Sequence, residues 1–403
     1  MPRPLRIMID ARMLLGRFSG VARVVTRLVD ALACRDDMRI VALCGDEAYA
    51  PWTTTTDIDI LVSDFTRRDR SPLRRMLWEE TRLRRWIRLA GVDLFHATWN
   101  QGIPPRCPVP TILTIHDLIP WQNTDANESS RLQSACYRYA IRASARRATH
   151  VTTVSQFTRK QVLERLRVER DRVRVVPNGV DAPSVPADLE PESSPYVLYV
   201  GGHEDRKNVE TVLAAMESYW ARFDSHLELH LTGRAESLTP RAAEVHRRIR
   251  NADQDAPIRF LGAPDDMELA RQYASAGALL LLSRAEGFGL PALEAMAYGC
   301  PVIAARAGAL PEVVADAGLL VEPDNAQSVA DAIRSVLALR HLARRLSRSG
   351  RDRAALFSWE RAADAYRGLY HAVAPTSVNS IFPARLGAKL GASHTEELAV
   401  THK

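Results

Sequence analysis

The chain has 403 residues, a net charge of +6 and 46% hydrophobic residues, which fits two or three globular domains able to bury sizeable cores. No run approaches the roughly 18 apolar residues of a membrane span, and the opening MPRPLRIMIDARMLL has too short an apolar stretch and no small-residue cleavage site for a secretory leader, so a cytoplasmic location is expected. The five cysteines (Cys34, Cys44, Cys107, Cys136 and Cys300) are odd in number and lack C-x-x-C spacing, which argues against a disulfide framework and a structural zinc.

Along the first half, short apolar runs alternate with longer amphipathic ones, the pattern of βα units stacked on a parallel sheet. LRIMID (5–10) reads as the first strand and passes into ARMLLGRFSGVARVV, where Gly16 and Gly20 precede a helix and let backbone approach a phosphate. Val21, Val24, Val25, Leu28, Val29 and Leu32 then recur at helical spacing and give one buried face. IVALC (40–44) is the next strand; Asp57-Ile58-Asp59 has the look of a metal-binding D-x-D but alternates as an edge strand does. Residues 67–91 hold nine arginines against three acids, with Leu73, Met76, Leu77, Leu83, Trp86 and Ile87 along one helical face interrupted by Glu80. A basic amphipathic helix of this kind suits either docking on anionic lipid through residues 67–88 or ordinary packing with a solvated basic face. DLFHA (93–97) and PTILTIHD (110–117) come next as strands that place His96 and His116 at successive strand ends, both expected to reach a cleft. HVTTVS (150–155) and VRVVP (173–177) complete a first domain over residues 1–181.

APSVPADLEPESSP (182–195) packs four prolines among acids and reads as a linker. The alternation restarts with YVLYVGG (196–202), LELHLTG (227–233), IRFLG (258–262) and ALLLLS (278–283), so that a second doubly wound domain runs over 196–355. After its first strand, Arg206 and Lys207 stand near a helix start; only four of the 54 basic residues are lysines, so a Lys here is conspicuous. Two cations beside a strand's carboxyl end can clamp a diphosphate, Arg as a planar fork and Lys as a point charge. A helix over 356–373 is expected to return to the first domain, and 374–403 has no sustained period and reads as a flexible tail.

RAEGFGLPALEAMAYGCPVIAA (284–305) sets Glu286 and Glu294 eight residues apart across a Gly-Phe-Gly turn, between two buried strands. Gly287 and Gly289 permit the turn, Pro291 suits the first position of a helix, and Glu294 falls about one turn inside it. Helix N-termini at strand carboxyl ends attract anions. Carboxylates accept from hydroxyls and repel phosphate, so these glutamates suit sugar and ribose rings while backbone amides meet the phosphates.

Taken in order, GVARVV, HDLIP, TVSQFT, VVPNGVD, VGGHEDRKN, FLGAPDD and EGFGLPALEAMAYGCPVIA resemble the family 4 retaining glycosyltransferases of the GT-B fold, from about residue 5 to residue 372. The resemblance implies an α/β chain of two doubly wound Rossmann-like domains facing a central cleft. It further implies that Arg206 and Lys207 bind the donor diphosphate, that Glu286 contacts the transferred sugar and that Glu294 holds the ribose. Backbone at Gly287, Phe288, Gly289 and Leu290 would meet phosphate or sugar, the Gly16–Gly20 loop would close over the phosphates together with His116, His96 would sit beside the sugar near the acceptor, and Gly262 would meet the base. Ala22 stands where a second glycine is common in this family, and Leu282-Ser283 where Pro-Ser is common.

The activity implied is that of a nucleotide-sugar-dependent hexosyltransferase without metal or other cofactor, because cations and a helix dipole take a divalent ion's place. GDP-mannose is the expected donor and a UDP-sugar the alternative. The acceptor is expected to be a glycan or a polyprenyl-linked lipid of surface polysaccharide assembly, met at the inner face of the membrane. A phosphorylase or epimerase of the same fold is a rival reading. So is a nucleic-acid-binding protein, although the positive charge is dispersed outside 67–88 and no nucleic-acid motif is present.

Overall fold

The computed structural model describes residues 3–14, 20–45, 52, 58–121, 128–183, 196–224 and 226–374. Gly16, Asp57, residues 184–195 of the expected linker and the tail from 375 onward lie outside them.

The first sheet comprises Leu5–Asp10 (β1), Met38–Cys44 (β2), Ile58–Val62 (β3), Leu94–Ala97 (β4), Thr111–Ile115 (β5), His150–Thr153 (β6) and Val173–Val175 (β7). The second comprises Tyr196–Tyr199 (β8), Glu228–Leu231 (β9), Ile258–Phe260 (β10), Ala278–Leu281 (β11), Val302–Ala305 (β12) and Leu319–Val321 (β13). Their orders are β3-β2-β1-β4-β5-β6-β7 and β10-β9-β8-β11-β12-β13, and every pairing is parallel. Parallel strands are covered on both faces, which is why β11 reads as an unbroken apolar run and β1 is apolar from Ile7 to Ile9. Successive residues split between layers: Ile7 and Ile9 pack on one face of the first sheet and Met8 on the other. Each order reverses once, between β1 and β4 and between β8 and β11, and these switch points are where open parallel sheets form crevices at their strands' carboxyl ends. β13 is a three-residue edge strand for which the sequence offers only LLV, too short for a periodicity argument.

Thirteen α-helices cover the sheets among the described residues: Gly20–Ala33 (α1), Pro72–Thr81 (α2), Leu83–Ala90 (α3), Glu128–Arg147 (α4), Gln156–Leu166 (α5), Val209–Arg222 (α6), Pro240–Ala252 (α7), Asp266–Ser275 (α8), Leu290–Ala297 (α9), Leu310–Val314 (α10), Ala326–Ala338 (α11), Arg340–Ala354 (α12) and Trp359–Val373 (α13). α1 buries Val24, Val25, Leu28, Val29 and Leu32, as its spacing requires. α13, capped by the Ser358 hydroxyl accepting from the Arg361 N–H (3.2 Å), lays Trp359, Tyr366 and Tyr370 into the same core as α1 and β1. The chain thus crosses back to the first sheet after completing the second.

The basic segment departs from the single apolar face expected of it. It breaks at Arg82 into α2 and α3, and Leu73 and Leu77 are about 60% exposed (61% and 62%) while Arg75 and Glu79 are buried. The reason is a charged cluster under α2. Arg12 pairs with Asp10 at 2.7 Å and Glu79 at 3.2 Å, Arg75 pairs with Glu79 at 2.8 Å, and the Arg12 guanidinium lies 4.6 Å from the Trp78 ring centre. A buried guanidinium needs partners, and the i,i+4 pair Arg75–Glu79 turns that face of α2 inward and sends the leucines outward. Leu83 and Ile87 are buried on α3.

Candidate active site

The second sheet's switch point carries the sequence's strongest signal. After β8, Gly201 and Gly202 lead to a tight turn at Asp205–Lys207, closed by Asn208 in the left-handed conformation (φ 59°). The Asn208 amide donates to the carbonyls of Leu282 (3.2 Å) and Pro323 (2.7 Å), and the Arg284 N–H donates to the Arg206 carbonyl (2.8 Å), which ties the turn to the end of β11. Lys207 and Glu286 thereby face each other: Lys207 Nζ lies 2.5 Å from Glu286 Oε1, the same oxygen accepts from Ser283 Oγ at 2.8 Å, and Arg206 Nη1 stands 3.8 Å from Glu286 Oε2. Both side chains of the Lys207–Glu286 pair are 11% exposed, so their charges meet with little screening water. Arg206 also donates to the Ala285 carbonyl at 3.5 Å.

The turn after Glu286 owes its shape to glycine. Gly289, at φ 104°, is the residue before α9, and a Cβ there would stand 2.6 Å from Leu310 Cδ2. A Cβ on Gly287 would stand 1.9 Å from the His116 carbonyl oxygen of the first domain. Ser155 Oγ, the cap of α5, donates to the Gly287 carbonyl at 2.7 Å, and Glu312 accepts from the N–H groups of Gln156 (2.8 Å) and Phe157 (3.1 Å). The two domains therefore meet at the Glu286 loop. The Phe288 side chain is buried against Phe357, which leaves only its backbone for the cleft. Leu290 packs on both domains' cores, 3.8 Å from where a Gly20 Cβ would be.

Glu294 sits in the second turn of α9, 14% exposed at its side chain. Its Oε2 accepts from the buried Tyr273 hydroxyl (2.9 Å), and its Oε1 from Arg23 Nη1 of α1 (2.5 Å); Arg23 also pairs with Asp266. Burial disfavours the Arg23 charge, yet Glu294 and Asp266 hold its pKa above the ordinary arginine value. The Tyr273 phenol is pushed well up by burial and then by Glu294, so it is a hydrogen-bond donor. Gly262 (φ 66°) exchanges both backbone hydrogen bonds with Gly233, at 2.6 and 2.9 Å, at the end of β10.

The two histidines separate. His116 is brought to the domain junction: its carbonyl meets Gly287 and its Nε2 bonds the Thr98 carbonyl at 2.8 Å. His96 does not reach the cleft. It is wholly buried, Nδ1 bonding the Tyr370 hydroxyl and Nε2 the Thr114 hydroxyl, each at 2.7 Å, and burial together with the neighbouring His116 lowers its pKa to about 3. His96 is a core residue that anchors α13, not a group beside the sugar. The two positions differ because β4 continues beyond His96 through Ala97, whereas His116 comes after the last residue of β5.

The sequence carries no signal for Arg23, Asp266 or Tyr273: Tyr273 meets Glu294 where α8 lies beside α9, and Arg23 reaches Glu294 and Asp266 only because α1 of the first domain stands against them. Ser155 is legible as a helix cap, the start of S-x-x-T, but nothing local tells that its hydroxyl reaches Gly287.

This geometry has counterparts among known proteins. Residues 18–183 match the model described as Glycosyltransferase Family 4, and residues 184–353 the one described as Glycosyl transferases group 1. The chain belongs to the family 4 glycosyltransferases. Among curated members, it is 29% identical over 224 residues to the O-antigen chain mannosyltransferase RfbU of Salmonella typhimurium, covering 56% of this chain and 60% of the relative. It is 28% identical to the O-antigen chain mannosyltransferase B of Escherichia coli, over 46% of this chain and 50% of the relative. The chain thus spans little more than half of these relatives' length. The sucrose-phosphate synthase of Thermosynechococcus elongatus superposes on 91% of this chain and all of its own with a TM-score of 0.70 at 25% identity. The fold is GT-B, two Rossmann-like domains around a cleft.

Proposed function

We propose that this family 4 member is a retaining mannosyltransferase that moves mannose from GDP-mannose to a glycan or polyprenyl-linked acceptor of surface polysaccharide. The observation that carries the reading is the Arg206–Lys207–Ser283–Glu286 cluster at the β8/β11 switch point, beside the start of α9. The sugar and the pathway class are taken from RfbU and mannosyltransferase B, both O-antigen chain mannosyltransferases by name.

In this reading a donor diphosphate takes Lys207 and Arg206, which frees Glu286 to accept from the sugar's hydroxyls. As the bond to the sugar breaks, negative charge grows on the leaving phosphate, where both cations and the positive end of α9 stabilise it. Glu286, held by Ser283, faces the ring as it gains positive charge. In that place it serves electrostatic stabilisation rather than covalent attack, and the retention that the family resemblance implies would run by attack on the donor's own face. Glu294 and Tyr273 hold the ribose, and the Gly262 strand end meets the base. The cations take the part of a divalent ion, so no metal is needed. The acceptor approaches from the first domain, with His116 at the junction.

Leu73, Leu77 and Leu89 stand exposed on α2 and α3 among exposed Arg74, Arg82, Arg85 and Arg88, a surface suited to anionic lipid, where a lipid-linked acceptor resides. No helix among the described residues is long and apolar enough to cross a membrane.

Purified chain incubated with radiolabelled GDP-mannose and, in parallel, UDP-glucose, each with membrane lipid extract and excess EDTA, tests the reading. Transfer or slow hydrolysis of GDP-mannose in EDTA is the expected result. Turnover of UDP-glucose alone would overturn the donor assignment, and activity abolished by EDTA and restored by magnesium would overturn the metal-free account.

A further inference from the structure

Arg23 spans the cleft. It rises from α1 of the first domain, three residues after Gly20, and its guanidinium enters between α8 and α9 of the second, one nitrogen 2.5 Å from Glu294 Oε1 and the other on Asp266 at the start of α8. The other Glu294 oxygen is already bonded to Tyr273, 2.9 Å away and buried. A carboxylate that is to receive a ribose diol needs lone pairs facing the cleft, and here the side facing the first domain is covered by Arg23. The space around the clasp points the same way. It is a cavity of about 180 Å³ lined by Arg23, Arg27, Asp266, Tyr273, Glu294 and Trp359, below the roughly 300–1,000 Å³ of small-molecule sites.

We propose that Arg23 is a positioning residue that competes with the donor: it clasps the two domains through Glu294, and it must release that carboxylate when the ribose of a nucleoside diphosphate enters. This rests on the reading that Glu294 holds the ribose. Asp266 helps to hold the guanidinium in the clasp from the rim, where its side chain is 63% exposed. The clasp then couples donor binding to domain opening, because the free enzyme must give up the contact before the nucleotide fits, and any conformation incompetent to bind lowers the apparent affinity by its population.

Calorimetric titration of the full chain with GDP, and with UDP in parallel, tests the competition. Arg23→Ala is expected to bind the better nucleotide on the order of five-fold more tightly than the unaltered chain, the low end of coupling between sites, and to show a larger radius of gyration by small-angle scattering with no nucleotide added. Asp266→Ala, which removes only the exposed anchor, should act in the same direction by a smaller factor, and it serves as the second variant if Arg23→Ala does not fold. Equal or weaker binding by these variants, or no binding of either nucleotide, overturns the proposal. The ribose reading is judged separately on the Arg23→Ala background, where the clasp plays no part. There the 2′,3′-dideoxy nucleotide should bind more weakly than the parent, and the gap should close in Arg23→Ala/Glu294→Gln. Equal affinity for the two nucleotides would overturn the ribose assignment and with it the competition at Glu294, while the first comparison, which depends only on Arg23 and the complete nucleotide, would still report on the clasp between the domains.

Discussion

Replacing Gly287 by alanine adds one methyl group at the place where the domains touch. The new Cβ would lie 1.9 Å from the His116 carbonyl oxygen and 3.0 Å from Asp117 Cβ, whereas real Cβ contacts do not fall below 3.0 Å, so one backbone must retreat by about 1 Å. Neither side gives easily. The His116 carbonyl also accepts from Thr158 Oγ1 (3.3 Å), and the Gly287 carbonyl is bonded to Ser155 Oγ (2.7 Å). Gly287 is outside the left-handed region, so the effect is the methyl group and not backbone strain. Overpacking of this kind costs roughly 1–3 kcal/mol, which for a domain of this size lowers Tm by about 2–4 °C per kcal/mol. The adjacent Glu286 moves with the loop, and a 1 Å misplacement of a reacting group can cost about 10²-fold in rate. Differential scanning fluorimetry together with donor turnover measures both. Gly368→Ala on α13, whose Cβ would meet nothing within 4 Å, is the control and should be neutral or slightly stabilising. A Gly287→Ala enzyme with unchanged Tm and kcat would refute the domain contact as described.

Glu286→Gln should lower kcat by on the order of 10²-fold, since its charge matters most as the ring becomes positive, whereas Glu294→Gln should chiefly change the donor KM; steady-state kinetics with circular dichroism checks both, and near-normal kcat for Glu286→Gln would displace the sugar site. His96 makes the fold acid-sensitive. Its folded pKa of about 3 lies below the unfolded value of 6.5, so its neutral form contributes fully above the unfolded value and that contribution is lost as pH falls toward the folded one. Between pH 7.5 and 5 the loss is about 2 kcal/mol, and urea denaturation should show a flatter pH profile for His96→Gln, itself less stable at pH 7.5; parallel profiles would show that His96 is not the group responsible. Leu73→Asp/Leu77→Asp should weaken flotation with anionic liposomes several-fold while sparing donor hydrolysis, because both side chains point away from the core; unchanged flotation would remove this face from any membrane contact.

The alternation of apolar runs determined two parallel α/β domains, since a strand buried on both faces is predominantly apolar and a strand of four to eight residues shows this locally. β1, β11, the Gly-Phe-Gly turn and the position of Glu294 one turn into α9 were all legible for that reason: each depends on neighbours within a few residues. Charge placement was less so. Periodicity put Leu73 and Leu77 on one apolar face with Leu83 and Ile87, but the partner that turns α2 over, Arg12, is 67 residues from Glu79 in the chain and reaches it only when β1 and α2 are adjacent. The histidines divide on the same ground. His96 and His116 look alike as residues near strand ends, and only packing against Tyr366 and Tyr370, the latter 274 residues further on, sends His96 into the core. The sequence by itself determined where Arg206, Lys207, Glu286 and Glu294 stand at the second sheet's switch point, because they are fixed by turns and helix starts next to them. The tertiary structure alone decided that Arg23 meets Glu294 and that Gly287 meets His116, because those contacts cross between domains and no local preference encodes the distance between two separately folded sheets.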